Sequence, residues 1–146
     1  MNKEILKELF IVLDKMFTSC QIDYEELRVI EINKELFDDY KFVRIVNSFL
    51  FNYSKIQDKM GAKLFRRFLY VINEIDNTDI PMIDILNILE KRDILRRDDW
   101  EYLREVRNNL AHEYPLDFNE RMTNLKGAFN GFEILQQIYK NIKAKV

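Results

Sequence analysis

The stretch DDWEYLREVRNNLAHEYPLDFNE, residues 98–120, contains two helix starts and one break. Asp98 stands three residues before Glu101, the spacing of a capping box, and Trp100, Leu103, Val106 and Leu110 follow at the steps of one helix face. Tyr114 precedes Pro115, whose ring pushes the residue before it out of helical geometry, so this helix is expected to stop near Glu113. Asp117 and Glu120 repeat the capping pattern and open a helix in which Met122, Leu125, Phe129, Phe132, Leu135, Tyr139 and Ile142 keep a near-heptad rhythm. Two helices joined by so few residues are expected to form an antiparallel hairpin.

The same period extends toward the N-terminus. Ile5, Leu6, Leu9, Phe10, Leu13, Met16 and Phe17 share one face of a first helix. From Leu36 to Met60 the steps Leu36, Tyr40, Val43, Val46, Leu50, Tyr53, Ile56 and Met60 describe a second, and Phe42, Ile45, Phe49 and Phe51 widen its stripe enough to predict burial on more than one side. Gly61 reads as the break before a third helix with Leu64, Phe65, Phe68, Leu69, Ile72 and Ile75 inward and Lys63, Arg66 and Arg67 outside. Thr78 and Asp79 are expected to cap a fourth, with Pro81 in its first turn. Residues 19–35 are expected to form a loop with a short helical piece. With no repeat, linker or strand-period segment, residues 1–146 predict a single all-α domain, an antiparallel bundle of five to six helices.

Composition narrows the chemistry. The 146 residues carry 23 Lys and Arg against 25 Asp and Glu, a formal charge of −2, so nucleic-acid contact has to be local rather than a bulk attraction. One Cys and one His cannot build a zinc site within the chain, and Cys20, read as following a helix end, is a structural or incidental thiol suited to a reducing cytoplasm. Three glycines and two prolines leave no Gly-rich phosphate loop, which sets aside P-loop ATPases, kinases and Rossmann enzymes. No segment approaches a membrane span, and no metal or cofactor is expected.

The one histidine, His112, lies in the densest polar segment, with Arg104, Arg107, Asn108 and Tyr114. Arg107 falls within the arc of Trp100 and Leu103, and a guanidinium aimed at an apolar seam needs an anion, a carboxylate or a wet cleft. Asn108 and His112 are four apart and share a face beside it. On spacing alone two accounts stay open. His112 can be a cation at the negative end of a helix with Arg107 paired to a neighbour such as Glu105, or the three polar groups can converge on a phosphate. Lys91, Arg92, Arg96, Arg97, Arg104 and Arg107 are matched one for one by Glu90, Asp93, Asp98, Asp99, Glu101 and Glu105 and read as a salt-bridged face, although Arg104 could touch RNA phosphate. Trp100, Phe129 and Phe132 are at core spacing.

Arg107, four residues, His112, one residue and Tyr114 match R-x4-H-x-Y, and here the chain resembles the HEPN superfamily, specifically HepT toxins of HEPN and nucleotidyltransferase (MNT) toxin–antitoxin pairs. Asn108 is of a type this family favours after the arginine, and residues 53–61, YSKIQDKMG, resemble its second recurring segment. The resemblance implies a type VII-like toxin of the prokaryotic cytoplasm: a metal-independent endoribonuclease, homodimeric, with Arg107 and His112 of two chains lining one cleft. His112 would serve as acid or base and Arg107 would meet the developing phosphorane charge. The interface is expected to involve the helix of Trp100, Leu103 and Val106. The partners implied are an MNT-type nucleotidyltransferase antitoxin and RNA, not DNA or a membrane. A non-catalytic nucleotide- or substrate-binding subunit of a nucleotidyltransferase would use the same Arg107 without turnover, and a purely structural dimerisation bundle would need none of the three polar residues.

In this family the residue matching Tyr114 is the one adenylylated by the antitoxin. Each phosphodiester would add about one negative charge beside Arg107. Incubation with the neighbouring nucleotidyltransferase and ATP is expected to add AMP-sized increments to the intact mass of the wild type and none to Tyr114→Phe; the same increments on both would remove this switch.

Overall fold

The computed structural model describes residues 2–110 and 117–146. Helix α1 spans Asn2–Arg28 and buries Leu6, Leu13, Phe17, Cys20, Tyr24 and Leu27. The expected loop at 19–35 is therefore helical over its first ten residues. Cys20, Tyr24 and Leu27 continue the Leu13 and Phe17 stripe, and that burial outweighs the weak helix propensity of Thr18, Ser19 and Asp23. Cys20 thus sits inside a helix rather than after one, fully buried, and burial pushes its thiol up to about 12. A 3-10 turn at Lys34–Asp38 follows, capped by Asn33, whose Oδ1 accepts from Leu36 N at 3.1 Å.

Helix α2 spans Tyr40–Lys59, capped by Asp39 rather than starting at Leu36. It does not break at Gly61. A π-helical turn at Met60–Leu64 carries it straight into α3, Phe65–Val71. Gly61 is needed for a close approach instead: a Cβ there would lie 3.0 Å from Trp100 Cζ2, and the Trp100 ring packs edge-on to Phe65 at 4.9 Å between centroids. Helix α2 also buries one face rather than several. Phe42, Val46, Phe49, Tyr53, Ile56 and Gln57 are inside, while Tyr40 and Phe51 remain 85% and 62% exposed.

Helix α3 ends on Asn73 and helix α4, Met82–Lys91, on Asp93, both in the left-handed region. In each case the next amide reaches back five residues, Glu74 to Leu69 O and Ile94 to Leu89 O, both at 2.9 Å. Pro81 itself caps α4; Thr78 and Asp79 lie upstream and do not. Arg66, expected outside, is half-buried because its Nη1 donates to the carbonyls of Thr78 and Ile80, tying the α3–α4 connection to α3. Arg67, likewise half-buried, donates to Asn2 Oδ1 at 2.7 Å.

Helix α5 spans Arg97–Leu110, one residue ahead of Asp98, and α6 spans Phe118–Ala144 with Asp117 as its cap, accepting from Asn119 N. The expected stop near Glu113 lies outside the described residues. Val106 faces Gly127 and Ile94 O accepts from Asn141 Nδ2, so α5 and α6 run antiparallel. By the same reasoning α1 is antiparallel to α6, through Gln21 with Gln136 and Asp14 with Tyr139, and to α2, through Ser19 with Asn52 and Asp23 with Ser48. Helix α2 is antiparallel to α5, through Gly61 with Trp100 and Gln57 with Leu103. The four helices close a ring around Phe17, Tyr24, Phe49 and Phe132, with α3 and α4 extending one end. Among the described residues there is no strand, and no helix is long and apolar enough to cross a membrane. The Trp100, Leu103 and Val106 side chains are buried within the chain, Trp100 against Gly61 and Phe65.

Across the ring, a Cβ on Gly131 would lie 2.4 Å from Tyr53 Oη and 2.8 Å from its Cζ. Gly131→Ala is expected to lower unfolding free energy in urea by about 1–2 kcal/mol, overpacking exceeding the helix-propensity gain. Tyr53→Phe, which deletes the nearest atom, should recover part of that loss in the double variant.

Candidate functional site

Three of the expected site residues come together on α5. Arg107, Arg104 and Asn108 line a groove of about 470 Å³ whose other walls are Gln57, Asp58 and Gly61 of the α2 rod, Met82, Ile83 and Leu86 of α4, and Trp100. Gly61, without a side chain, lets the Trp100 ring close against the wall of this groove. His112 and Tyr114 lie outside the described residues.

The partner of Arg107 is Asp58, not Glu105. The guanidinium forks onto one carboxylate, Nε to Oδ1 at 3.1 Å and Nη2 to Oδ2 at 3.0 Å. This is the planar two-pronged geometry that lysine cannot reproduce. Hydrogen bonding to Asp58 pushes the Arg107 pKa above the ordinary arginine value, so the side chain stays charged at every accessible pH. Its 33% exposure leaves it reachable, and because the fork uses the Nε edge, the Nη1 edge can still meet an anion in the groove.

Arg104 points further out and pairs with Glu101 at 3.2 Å, both side chains more than 60% exposed. The groove therefore contains three cations, Arg97, Arg104 and Arg107, against Asp58 and Glu101. A larger groove of about 830 Å³ lies elsewhere, between the α4–α5 connection and α6. It presents Glu90, Asp93, Asp99 and Glu133 against Arg96 and holds none of the expected site residues, so its size does not recommend it for an anionic ligand. Among the described residues no group of three His, Cys, Asp or Glu side chains is placed to hold a metal ion.

Gln57 and Asp58 are the site residues that sequence reasoning left without a role. Tyrosines aside, Gln57 is the one buried polar side chain among the described residues, and its Nε2 donates to Leu103 O at 2.9 Å, clamping α5 one turn before Arg107. The available signal was a Gln-Asp dyad between Ile56 and Met60, polar where the stripe is otherwise apolar. The structure thus joins the two segments, residues 53–61 and 103–108, through one buried and one half-exposed contact. No family model, curated protein or solved structure matches the chain.

Because the fork is half-exposed on the carboxylate side, Asp58→Asn is expected to change unfolding free energy by less than about 1 kcal/mol. Gln57→Leu removes the Nε2 donation, while Leu103 O keeps its helical donor at Arg107 N, so it should cost about 1 kcal/mol. Parallel urea titrations check the order; a larger loss for Asp58→Asn would contradict it.

Proposed function

We propose that the protein is a HepT-like toxin, a metal-independent endoribonuclease that works as a homodimer through Arg107 and His112 and is silenced by adenylylation of Tyr114. The observation that carries this reading is the Arg107 guanidinium, held by Asp58 at the wall of a groove with its second edge available to an anion. An arginine serving only as a surface ion pair needs neither a fork from a second helix nor a groove beside it.

RNA brings its own nucleophile. A base removes the 2'-hydroxyl proton, the 2'-oxygen attacks phosphorus, and the 5'-oxygen leaves with a proton from an acid, giving a 2',3'-cyclic phosphate. In this reading His112 handles protons, a role that rests on the resemblance, and Arg107 stabilises the charge that grows on the nonbridging oxygens. Asp58 aims Arg107, and Asn108 and Arg104 line the same groove; the part given to Tyr114 rests on the resemblance. With a net charge of −2, such a local cluster is the form RNA contact has to take.

Incubation with total RNA in EDTA is expected to yield fragments ending in 2',3'-cyclic phosphate. Arg107→Ala, Arg107→Lys and His112→Ala should each lower the rate at least about 100-fold with helical content unchanged. Cleavage by His112→Ala at the wild-type rate would overturn the acid–base role, and RNA binding without cleavage by the wild type would favour the binding-subunit reading.

A further inference from the structure

The outward face of α2 has a composition that the bundle does not require. At about 100° per residue, Tyr40, Arg44, Asn47, Phe51, Lys55 and Asp58 fall in one arc of about 80° opposite the buried face. All six are exposed, Tyr40 and Phe51 by 85% and 62%, and Lys55 Nζ lies 5.4 Å from the Phe51 ring centroid.

This stripe is complementary to itself. When two copies of α2 lie antiparallel across a two-fold axis at Phe51, residues equally far before and after Phe51 meet at the same height. Asn47 then faces Lys55, Arg44 faces Asp58, and the large Tyr40 faces the small, exposed Ala62 of the π turn. Opposite charges meet at both ends and the aromatic ring sits on the axis, the arrangement an isologous contact demands.

We infer that a second copy of this chain packs on this stripe, α2 against α2 about Phe51, with Arg44 of one copy reaching Asp58 of the other. A carboxylate has acceptor positions beyond the two that Arg107 uses, so Asp58 can take both guanidinium groups. The consequence for the site follows from register. Helix α5 runs antiparallel to α2 with Trp100 beside Gly61 and Leu103 beside Gln57, so Leu110 stands at the height of Phe51. The two-fold keeps both α5 helices on one side of the interface, so both Leu110 ends meet the axis together. The shared catalytic cleft this permits rests on the ribonuclease reading; the interface rests on the stripe.

The experiment is disulfide trapping in the full-length chain, with sedimentation. Cys20 is buried and its thiol is pushed up to about 12, so it does not compete. Phe51→Cys, on the axis, is expected to give a covalent dimer on mild oxidation. Tyr40→Cys alone should not, its two copies standing about 33 Å apart at 1.5 Å per residue, whereas Tyr40→Cys mixed with Ala62→Cys should. Phe51→Glu and Arg44→Glu should each raise the dimer dissociation constant at least about tenfold. A wild type monomeric at about 50 µM, or a dimer whose Phe51→Cys form does not link, overturns the inference, as does Phe51→Glu that loses RNA affinity while sedimenting like wild type. A trapped dimer that cleaves no RNA would leave the interface standing and remove the ribonuclease, and cleavage by a strict monomer would remove both the interface and the two-chain site while leaving a ribonuclease.

Discussion

Tyr53 fits in the centre of the bundle because residue 131 has no side chain. Helix α2 and helix α6 face each other across the ring, and the tyrosine on one fills the space a Cβ on the other would occupy. That contact, with Phe49 against Phe132 beside it, sets the rotation of α2 about its own axis. Everything functional on α2 follows from the rotation. Gln57 and Asp58, about one turn beyond Tyr53, are delivered to α5, and Tyr40 and Phe51 are turned to the outside.

The groove beside Arg107 is a product of two opposed requirements. Apolar packing draws α5 onto the helix pair on either side of it, Trp100 against Gly61 and Val106 against Gly127. A permanent cation on the same helix must keep contact with water or a carboxylate. Gln57 holds the backbone in and Asp58 holds the guanidinium at the edge, so the charge sits at the boundary between core and solvent.

The elements that could be read from the chain were those decided by local periodicity. The α5–α6 hairpin, the Asp117 cap, the core roles of Trp100 and Phe132, and the candidacy of Arg107, Asn108 and Arg104 for one site all depend on residues within a few turns of one another. The errors share a cause. The length of α1 past Ser19, continuity through Gly61, the half-buried Arg66 and the exposure of Phe51 each depend on what a distant helix presents at that position. Gly61 shows it most plainly: a glycine in a helical run reads as punctuation until a tryptophan thirty-nine residues later is found against it.

By itself, then, the sequence determined an all-helical chain, its stripes of buried residues and the polar cluster at the end of α5, because a 3.6-residue period and a capping residue act over one or two turns. Only the tertiary structure decided that Arg107 answers to Asp58 rather than to Glu105, that Gln57 clamps α5, and that one face of α2 stays uncovered. Residues forty-nine apart become partners through the packing of whole helices, and no local spacing encodes the angle at which two helices meet.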